Sequence, residues 1–408
     1  MKKIIVGQSG GPTAVINASV AGVYKKAKEL GIEKVYGMVH GIEGFLNEDI
    51  IDLDDYLSNK DNFELLLRTP SAFLGTCRYK LPKYELDKKV YEKIFDILEK
   101  NEIDGLFYID GNDSMDTVKM LSDYAKEHKK KQLFVGIPKT IDNDLPITDH
   151  CPGYGSAAKY IASSIKEIIR DNESFGVVKP TICIVEIMGR HAGWLTAAAS
   201  LAKSDDCSGV DAIYLPEEDF DLDEFLDRVK KLAMTKSSVV IAVSEGIKTK
   251  DGKFVCELEN DNKKTDAFGH KQLSGCAVTL ANIISKNMDY KTRAIEFSTL
   301  QRAASHISSL TDINEALTVG EEAVKAMNEG NTAVMIVMKR NKDKEYKITY
   351  DYYDIHQIAN VEKMIPTSWI DTKNKQMKNE YLEYAKPLIM GELNSIYKNG
   401  LPSHLVRK

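Results

Sequence analysis

The chain has 408 residues, of which 43% are hydrophobic and 28% are charged, and these are the proportions of an ordinary globular protein. Its length predicts two or three domains. The formal net charge of −6 gives no general attraction to nucleic acid or to an anionic membrane, so we expect neither as a partner. An anionic substrate would have to be met by local Lys and Arg side chains.

The sequence contains no segment typical of a membrane or secreted protein. It has no run of about 18 apolar residues, so we expect no transmembrane helix. The N-terminal stretch 1–6 reaches Gly7 too soon for a signal peptide and is typical of a first strand. Six scattered cysteines without a CxxC pair predict reduced thiols in a cytoplasmic protein. The histidines lack HxxxH and HxH spacing, so we expect no zinc site.

Short apolar runs alternate with amphipathic stretches, which predicts an α/β fold with largely parallel sheets. The candidate strands are Lys3–Gln8, Lys34–Met38, Gly105–Asp110, Gln132–Ile137, Thr181–Ile187, Asp211–Leu215, Ser238–Val243, Thr292–Phe297 and Thr332–Met338. The candidate helices are Ala14–Leu30, Asp87–Lys100, Ser114–His128, Gly155–Arg170, His191–Lys203, Leu222–Ala233, Gln272–Lys286 and Asn314–Asn328. From Asp351 on the alternation stops, which predicts a C-terminal extension with helices.

A glycine-rich loop follows the first strand and opens the first helix. Its paired glycines, Gly10 and Gly11, would let a phosphate approach backbone N–H groups at the helix N-terminus. A plain strand-to-helix turn is the alternative, because the spacing is neither that of the P-loop nor that of GxGxxG.

A second loop, Asp110–Ser114, follows the third candidate strand and also opens a helix, with Ser114 as its expected N-cap. Because Asp and Ser commonly cap helices, a structural role is the alternative interpretation. The topological match to the glycine loop favours a site in which these acids hold Mg²⁺ beside a phosphate.

A third loop carries an ammonium, a hydroxyl and two carboxylates, on Lys139, Thr140, Asp142 and Asp144. It follows a buried strand at the sheet edge where ligands bind in open α/β folds. If this segment is extended, its hydroxyl and both carboxylates could face one way. Two neighbouring acids differ in proton affinity, so one could act as a base while the other holds a metal. A solvated Asx turn is the alternative.

Charged side chains end several later strands. Arg190 is well placed to clamp a phosphoryl oxygen, and Glu245 suits sugar hydroxyls. The planar guanidinium groups of Arg293 and Arg302 suit a terminal phosphate. Singly, each is more often a surface charge or an ion pair. Together they favour a phosphosugar site.

These motifs resemble, in order and from residue 3 to about residue 340, those of the phosphofructokinase family. They are Ser9-Gly10-Gly11, Gly75-Thr76-Cys77-Arg78, Asp110–Ser114, Pro138–Asp144, Val185–Arg190, Glu245 and Arg293–Arg302. The resemblance implies two Rossmann-like domains with helices on both faces of largely parallel sheets. Neither domain would be continuous in sequence. The donor-binding domain would comprise residues 1–152 and about 300–350. The sugar-phosphate domain would comprise residues 153–299 and about 351–408, with the C-terminal extension.

The resemblance also implies a role for each motif residue. Asp142 would be the base, Thr140 and Arg190 would hold the transferring phosphoryl group, and Lys139 and Asp113 would complete the catalytic set on the donor side. The implied donor-binding residues are Gly10, Gly11, Arg78, Asn112 and Ser114, and the implied Mg²⁺ ligands are Asn112, Asp113 and Asp144. The implied sugar-phosphate residues are Thr140, Asp142, Met188, Gly189, Arg190, Glu245, Arg293, Thr299 and Arg302. Since Arg293 would come from a neighbouring subunit, the resemblance implies a homo-oligomer, either dimer or tetramer, with shared sites.

Two positions indicate the phosphoryl donor. Members that use ATP carry Gly where this chain has Asp113 and usually Gly where it has Lys139, so the pair resembles the pyrophosphate-dependent branch. A carboxylate at 113 would repel the α-phosphate of ATP, and a lysine at 139 would supply charge to a leaving phosphate. We therefore expect pyrophosphate and fructose 6-phosphate as substrates. An ATP-dependent kinase and a non-catalytic regulatory paralogue that binds phosphosugar remain as alternatives.

The chain also departs from the family pattern. Asp110 replaces a Gly, and Asn112 replaces a metal-site Asp with a side chain that offers oxygen but no charge. Thr181 stands where many members have Arg, and Thr299 stands where many have His or Tyr. These changes predict an altered metal site and altered binding of the sugar phosphate.

Overall fold

The computed structural model describes residues 1–175, 179–259, 273–341 and 345–407, with all their side chains except those of Asp113 and Ser114. Two compact units make up the chain, and each is discontinuous in sequence. The first unit comprises residues 1–156, 302–363 and 390–408, and the second comprises 157–301 and 364–389.

The strands and α-helices are numbered in chain order. The strands are β1 (Lys3–Gln8), β2 (Lys34–Met38), β3 (Ile50–Asp52), β4 (Gly105–Asp110), β5 (Leu133–Pro138), β6 (Thr181–Ile187), β7 (Ala212–Tyr214), β8 (Asp219–Phe220), β9 (Ser238–Ser244), β10 (Lys248–Thr249), β11 (Lys291–Glu296), β12 (Val334–Arg340), β13 (Ile348–Asp354), β14 (Ile370–Asp371), β15 (Gln376–Met377), β16 (Tyr397–Lys398) and β17 (Leu401–Pro402). The helices are α1 (Ile16–Glu29), α2 (Gly41–Phe45), α3 (Asp54–Leu57), α4 (Lys60–Leu66), α5 (Lys88–Lys100), α6 (Asn112–Glu127), α7 (Tyr154–Glu173), α8 (Trp194–Ala197), α9 (Leu222–Ala233), α10 (Cys276–Asn287), α11 (Leu300–Ala303), α12 (Leu310–Asn328) and α13 (Asn379–Ala385).

The first unit is built on a seven-stranded sheet in the order β3-β2-β1-β4-β5-β12-β13. The five inner strands run parallel, and the edge strands β3 and β13 pair antiparallel to their neighbours. Successive side chains of β1 point to opposite faces: Ile4 packs in a core with α1 and α12, and Ile5 packs in a second core with α5 and α6. Both faces are therefore covered by helices, as buried parallel strands require.

The order of the strands in this sheet reverses at β1. Strand β2 lies on one side of β1 and β4 on the other, so the loops that leave the carboxyl ends of β1 and β4 start at a topological switch point. Ligands of open α/β sheets bind at such points.

The second unit has a smaller parallel sheet in the order β7-β9-β6-β11. Apolar residues of β6 and β9 form one core with α9 and α10. Together with the first sheet, this arrangement confirms the predicted fold class, an α/β protein with largely parallel sheets. In the described part of the chain, no helix is long and apolar enough to cross a membrane.

The strand predictions are confirmed to within two residues at each end, but one helix prediction is wrong. The helix predicted over His191–Lys203 is only α8, followed by a 3-10 turn over Ala198–Ala202. The prediction of a C-terminal extension with helices after Asp351 is confirmed by α13, and β13 also continues into this region as far as Asp354.

The C-terminal extension is divided between the two units, whereas the sequence placed all of it from about residue 351 with the second. Residues 351–363 and 390–408 belong to the first unit. The reason is local pairing: β13 completes the large sheet beside β12, and the N–H groups of Leu310 and Thr311 bond to the carbonyls of Gly391 and Met390.

Candidate active site

The glycine loop after β1 is a tight turn that hydrogen bonds fasten to a neighbouring loop. Gly10 has φ +68°, and a Cβ placed there would lie 2.2 Å from Oδ1 of Asp110, so only glycine fits. The Gly10 N–H donates to the carbonyl of Cys77 at 3.2 Å, and the Thr76 hydroxyl donates to the Gly10 carbonyl at 2.7 Å. These bonds join the two predicted donor-binding loops, and Arg78 is exposed next to them.

Lys139 and Asp110 form a buried ion pair at the ends of adjacent strands. Nζ of Lys139 lies 2.7 Å from Oδ1 of Asp110 and donates a second bond, of 2.8 Å, to the carbonyl of Gly11. The two side chains are 2% and 9% exposed. Asp110 therefore has a charged partner that the sequence did not reveal. The ammonium expected to face the donor is held between this carboxylate and the glycine turn.

Helix α6 begins at Asn112, two residues earlier than predicted, with Gly111 as its N-cap. Asp113 and Ser114 lie in its first turn, and their side chains are outside the described residues. The Asn112 amide, expected to bind metal, is engaged by the chain after β13. It donates from Nδ2 to the Val361 carbonyl at 2.8 Å, and its Oδ1 accepts the Asn360 N–H at 2.5 Å.

The segment from Thr140 to Asp144 is a turn, which the sequence left open as the alternative to an extended segment. Asn143 has φ +55°, a left-handed conformation that no strand contains. Its buried Oδ1 accepts the N–H of Cys151 at 2.9 Å, and the N–H of Asp142 donates to the Thr140 hydroxyl at 3.1 Å. The turn leaves Asp142 exposed and Asp144 half-buried.

Asp144 has the chemical character of a metal ligand. Its Oδ1 is buried and accepts no hydrogen bond within the described part of the chain. Burial and the nearby charge of Asp142 raise the pKa of Asp144 to about 7. The described residues contain no group of three or more His, Cys, Asp or Glu side chains that could hold a metal. One or two carboxylates still fit Mg²⁺, because this ion commonly completes its shell with water and substrate phosphates.

In the second unit, Met188 and Gly189 follow β6 and Glu245 follows the adjacent parallel strand β9. The Gly189 N–H donates to Oε1 of Glu245 at 3.4 Å, and the Gly189 carbonyl accepts the Ser244 hydroxyl at 2.5 Å. Buried Gln301 accepts the Met188 N–H at 3.3 Å. Sequence reasoning missed Ser244 and Gln301, although both lie next to predicted site residues.

The arginines expected to bind phosphate lie in different units. Arg190 is half-buried directly after Gly189. Arg293 pairs with Asp171 at 3.0 Å and stacks on the ring of Phe175. Arg302 belongs to the first unit, where its Nη1 lies 3.0 Å from the position of a Cβ on Gly11.

The two threonines that replace expected phosphate ligands differ in exposure. Thr181 is buried at the start of β6, and its carbonyl accepts a bond from Asn172. Thr299 is exposed in the segment after β11. Of the two, only the Thr299 side chain is open to solvent.

Comparisons with known proteins agree on one family. The family profile described as Phosphofructokinase matches residues 3–327. A Halomonas elongata protein named pyrophosphate–fructose 6-phosphate 1-phosphotransferase is 39% identical over 397 residues, which cover 97% of this chain and 93% of that protein. A Methylococcus capsulatus protein of the same name is 38% identical over 400 residues, covering 98% and 94%. The crystal structure of a pyrophosphate-dependent phosphofructokinase from Nitrosospira multiformis matches with a TM-score of 0.88 at 35% identity, covering 99% of this chain and 96% of that one.

The family predicted from the motifs is thus confirmed over most of the chain. The glycine turn, the Thr140–Asp144 turn and the Met188–Arg190 segment all follow parallel strands. The chain belongs to the phosphofructokinase family.

Proposed function

We propose that this chain catalyses the reversible transfer of a phosphoryl group from pyrophosphate to fructose 6-phosphate, giving fructose 1,6-bisphosphate and phosphate. Relatives named for this reaction cover nearly the whole chain at 36–39% identity. The structural observation that carries the proposal is the buried Lys139–Asp110 pair against the glycine turn, since ATP-using members of the family usually carry Gly where this chain has Lys139.

The donor end of the site is assigned to the first unit. Pyrophosphate would lie against the turn of Gly10 and Gly11, the start of α6 and Lys139, with Arg78 and Ser114 as further contacts. Arg302, which the resemblance assigned to the sugar phosphate, is proposed as a donor contact instead, because it lies beside Gly11. The cationic groups would stabilise the charge that develops on the leaving phosphate.

Asp142 is assigned as the general base. Its exposed carboxylate would accept the proton of the sugar 1-hydroxyl, whose oxygen then bonds to one phosphorus of pyrophosphate. The bond from that phosphorus to the bridging oxygen breaks, and the second phosphate leaves. Thr140 and Arg190 would hold the transferring phosphoryl group.

Asp144 and Asp113 are assigned as the Mg²⁺ ligands of the protein. The unpartnered buried oxygen of Asp144 supports this assignment. When bound, Mg²⁺ would neutralise charge on the phosphates. We omit Asn112 from the ligand set, because both polar atoms of its amide bond to residues 360 and 361.

The second unit is assigned to the sugar phosphate. Met188, Gly189 and Glu245 would contact the sugar, and Thr299 the 6-phosphate. Arg293 would complete the site of a neighbouring subunit, so we propose a homo-oligomer, either dimer or tetramer. We also propose a cytoplasmic location, which the scattered cysteines without a CxxC pair favour.

An assay matrix of pyrophosphate and ATP against fructose 6-phosphate and other phosphosugars tests this proposal. We expect turnover with pyrophosphate and little with ATP, and we expect the Asp113→Gly/Lys139→Gly variant to lose the pyrophosphate reaction. Asp142→Ser protein, purified in the same way, controls for a contaminating host enzyme. A strong preference for ATP would identify an ATP-dependent kinase, and phosphosugar binding without turnover would identify a regulatory paralogue.

A further inference from the structure

The segment 355–363, here named the strap, follows β13 and lies along one face of α6. Nε2 of His356 is hydrogen-bonded to Oδ1 of Asp123 at 2.9 Å, and Nδ2 of Asn360 donates to Oδ1 of Asp116 at 3.2 Å. Residues 112, 116 and 123 share a face of a helix because they are spaced by four and seven positions. The strap is therefore attached along most of the length of α6.

Asn112 fastens the strap at the first turn of α6. Its Oδ1 accepts the N–H of Asn360, which has a left-handed backbone with φ +65°, and its Nδ2 donates to the carbonyl of Val361. An amide can accept and donate at the same time, whereas an ionised carboxylate can only accept. The Asp that the family usually carries here would face the Val361 carbonyl without a proton to donate.

The other end of the strap is fastened to the turn that carries Asp144. The N–H of Lys363 donates to the Asp144 carbonyl at 2.7 Å. The Lys363 ammonium donates to the carbonyls of Thr148 and Asp149 at 3.1 and 2.9 Å. The strap thus connects the start of α6 with the Asp144 turn.

We propose that Asn112 is a positioning residue for the phosphoryl donor and acts through the strap. The strap holds in register two elements, the first turn of α6 with Asp113 and the turn with Asp144. The inference rests on the proposed function only in assigning pyrophosphate and Mg²⁺ to these elements. This inference also assigns a function to the C-terminal extension, for which the sequence suggested none.

The Asn112→Asp variant separates this role from direct metal binding, because the two roles predict opposite results. A positioning role predicts that the KM for pyrophosphate and the Mg²⁺ concentration for half-maximal activity both rise, the KM by about tenfold for the loss of one or two hydrogen bonds. A metal-ligand role predicts that the added negative charge lowers the Mg²⁺ requirement. The KM for fructose 6-phosphate should stay within about twofold of wild type.

Hydrogen exchange measured by mass spectrometry on peptides that span residues 355–366 gives a readout that does not depend on turnover. Asn112→Ala, which removes both bonds, should accelerate exchange of the Asn360 and Lys363 amides by about tenfold, and Asn112→Asp, which keeps an acceptor for the Asn360 N–H, should accelerate it less. The Asn101→Ala variant is the matched control, since it removes an Asn-to-carbonyl bond at the end of α5 and should leave the strap unchanged.

Unchanged exchange in both Asn112 variants, or a lower Mg²⁺ requirement in Asn112→Asp, would overturn the inference. Failure of the proposed function is a separate result, because it would appear as wild-type protein that does not turn over pyrophosphate. The exchange measurement remains decisive for the strap in that case.

Discussion

Nζ of Lys139 lies 2.7 Å from Oδ1 of Asp110, and both side chains are buried against the glycine turn. Asp110 looked like an isolated departure from the family pattern, and Lys139 looked like a free charge for the donor. The structure makes them one feature, because a buried ammonium without a carboxylate would carry a large desolvation cost. The pair fixes the ammonium beside the Gly11 carbonyl.

Removing one member of this pair should cost more than removing both. We expect Asp110→Asn and Lys139→Met each to lower the free energy of unfolding by about 3 kcal/mol, because each leaves a buried charge without its partner. In the double variant, the loss of unfolding free energy should be clearly smaller than the sum of the losses in the two single variants. Urea unfolding of the four proteins measures the coupling. Losses that add to within about 0.5 kcal/mol would show that the pair does not couple.

Gly10 should be far less tolerant of a methyl group than a glycine of similar backbone conformation. Gly10→Ala would place Cβ 2.2 Å from the Asp110 carboxylate, so that the carboxylate must move away from Lys139. Gly31→Ala is the matched control, because Gly31 has φ +75° and no atom within 4 Å of the added Cβ. Both variants should lose about 1 kcal/mol of stability to left-handed backbone strain.

Only in Gly10→Ala should the free energy of unfolding fall by about 2 kcal/mol more and the KM for pyrophosphate rise. Thermal unfolding and initial rates measure the two effects. Equal behaviour of the two variants would mean that the contact between Gly10 and Asp110 has no role in donor binding.

The sequence predicted the fold and the strand ends well, because both follow from local patterns. Buried parallel strands are apolar runs, and β1, β4 and β6 were predicted with their observed bounds. Motif residues placed directly after such strands were located correctly for the same reason.

Contacts between residues distant in the chain could not be predicted. Asp110 and Lys139 are 29 positions apart, and Asn112 and Val361 are 249 apart. Neither pair has a local signature, since each depends on register or docking that appears only after folding. The sequence could not decide between an extended segment and a turn around Asn143, which is left-handed in the structure, because Asn is compatible with both.

Asp142 and Asp144 should separate into different kinetic roles. Asp142→Ser removes the proposed base and should lower kcat by about a thousandfold while fructose 6-phosphate binding, followed by calorimetry, persists. Asp144→Asn keeps the volume of the side chain but removes its charge, so the Mg²⁺ concentration for half-maximal activity should rise. If Asp142→Ser retains wild-type kcat, another group is the base. A Mg²⁺ requirement unchanged in Asp144→Asn would remove Asp144 from the ligand set.

Deprotonation of His150 should lower the stability of the protein at alkaline pH. Its buried ring is hydrogen-bonded through Nδ1 to Asp149 at 2.8 Å and through Nε2 to Glu315 at 2.7 Å. Burial alone would lower the pKa of His150, but the two carboxylates outweigh it and raise the pKa to about 9. The stabilising charge interaction is therefore fully present below pH 6.5, the ordinary pKa, and is lost as pH rises through about 9.

The expected loss of unfolding free energy between pH 6 and pH 10 is about 3 kcal/mol from this group. Because lysines, tyrosines and thiols also titrate in this range, the informative quantity is the difference between wild type and His150→Gln, which has no titrating group at this position. Urea unfolding at both pH values should show a smaller loss in the variant than in wild type. An equal loss in the two proteins would mean that the ring is already neutral at pH 6 and that the two carboxylates do not hold its proton.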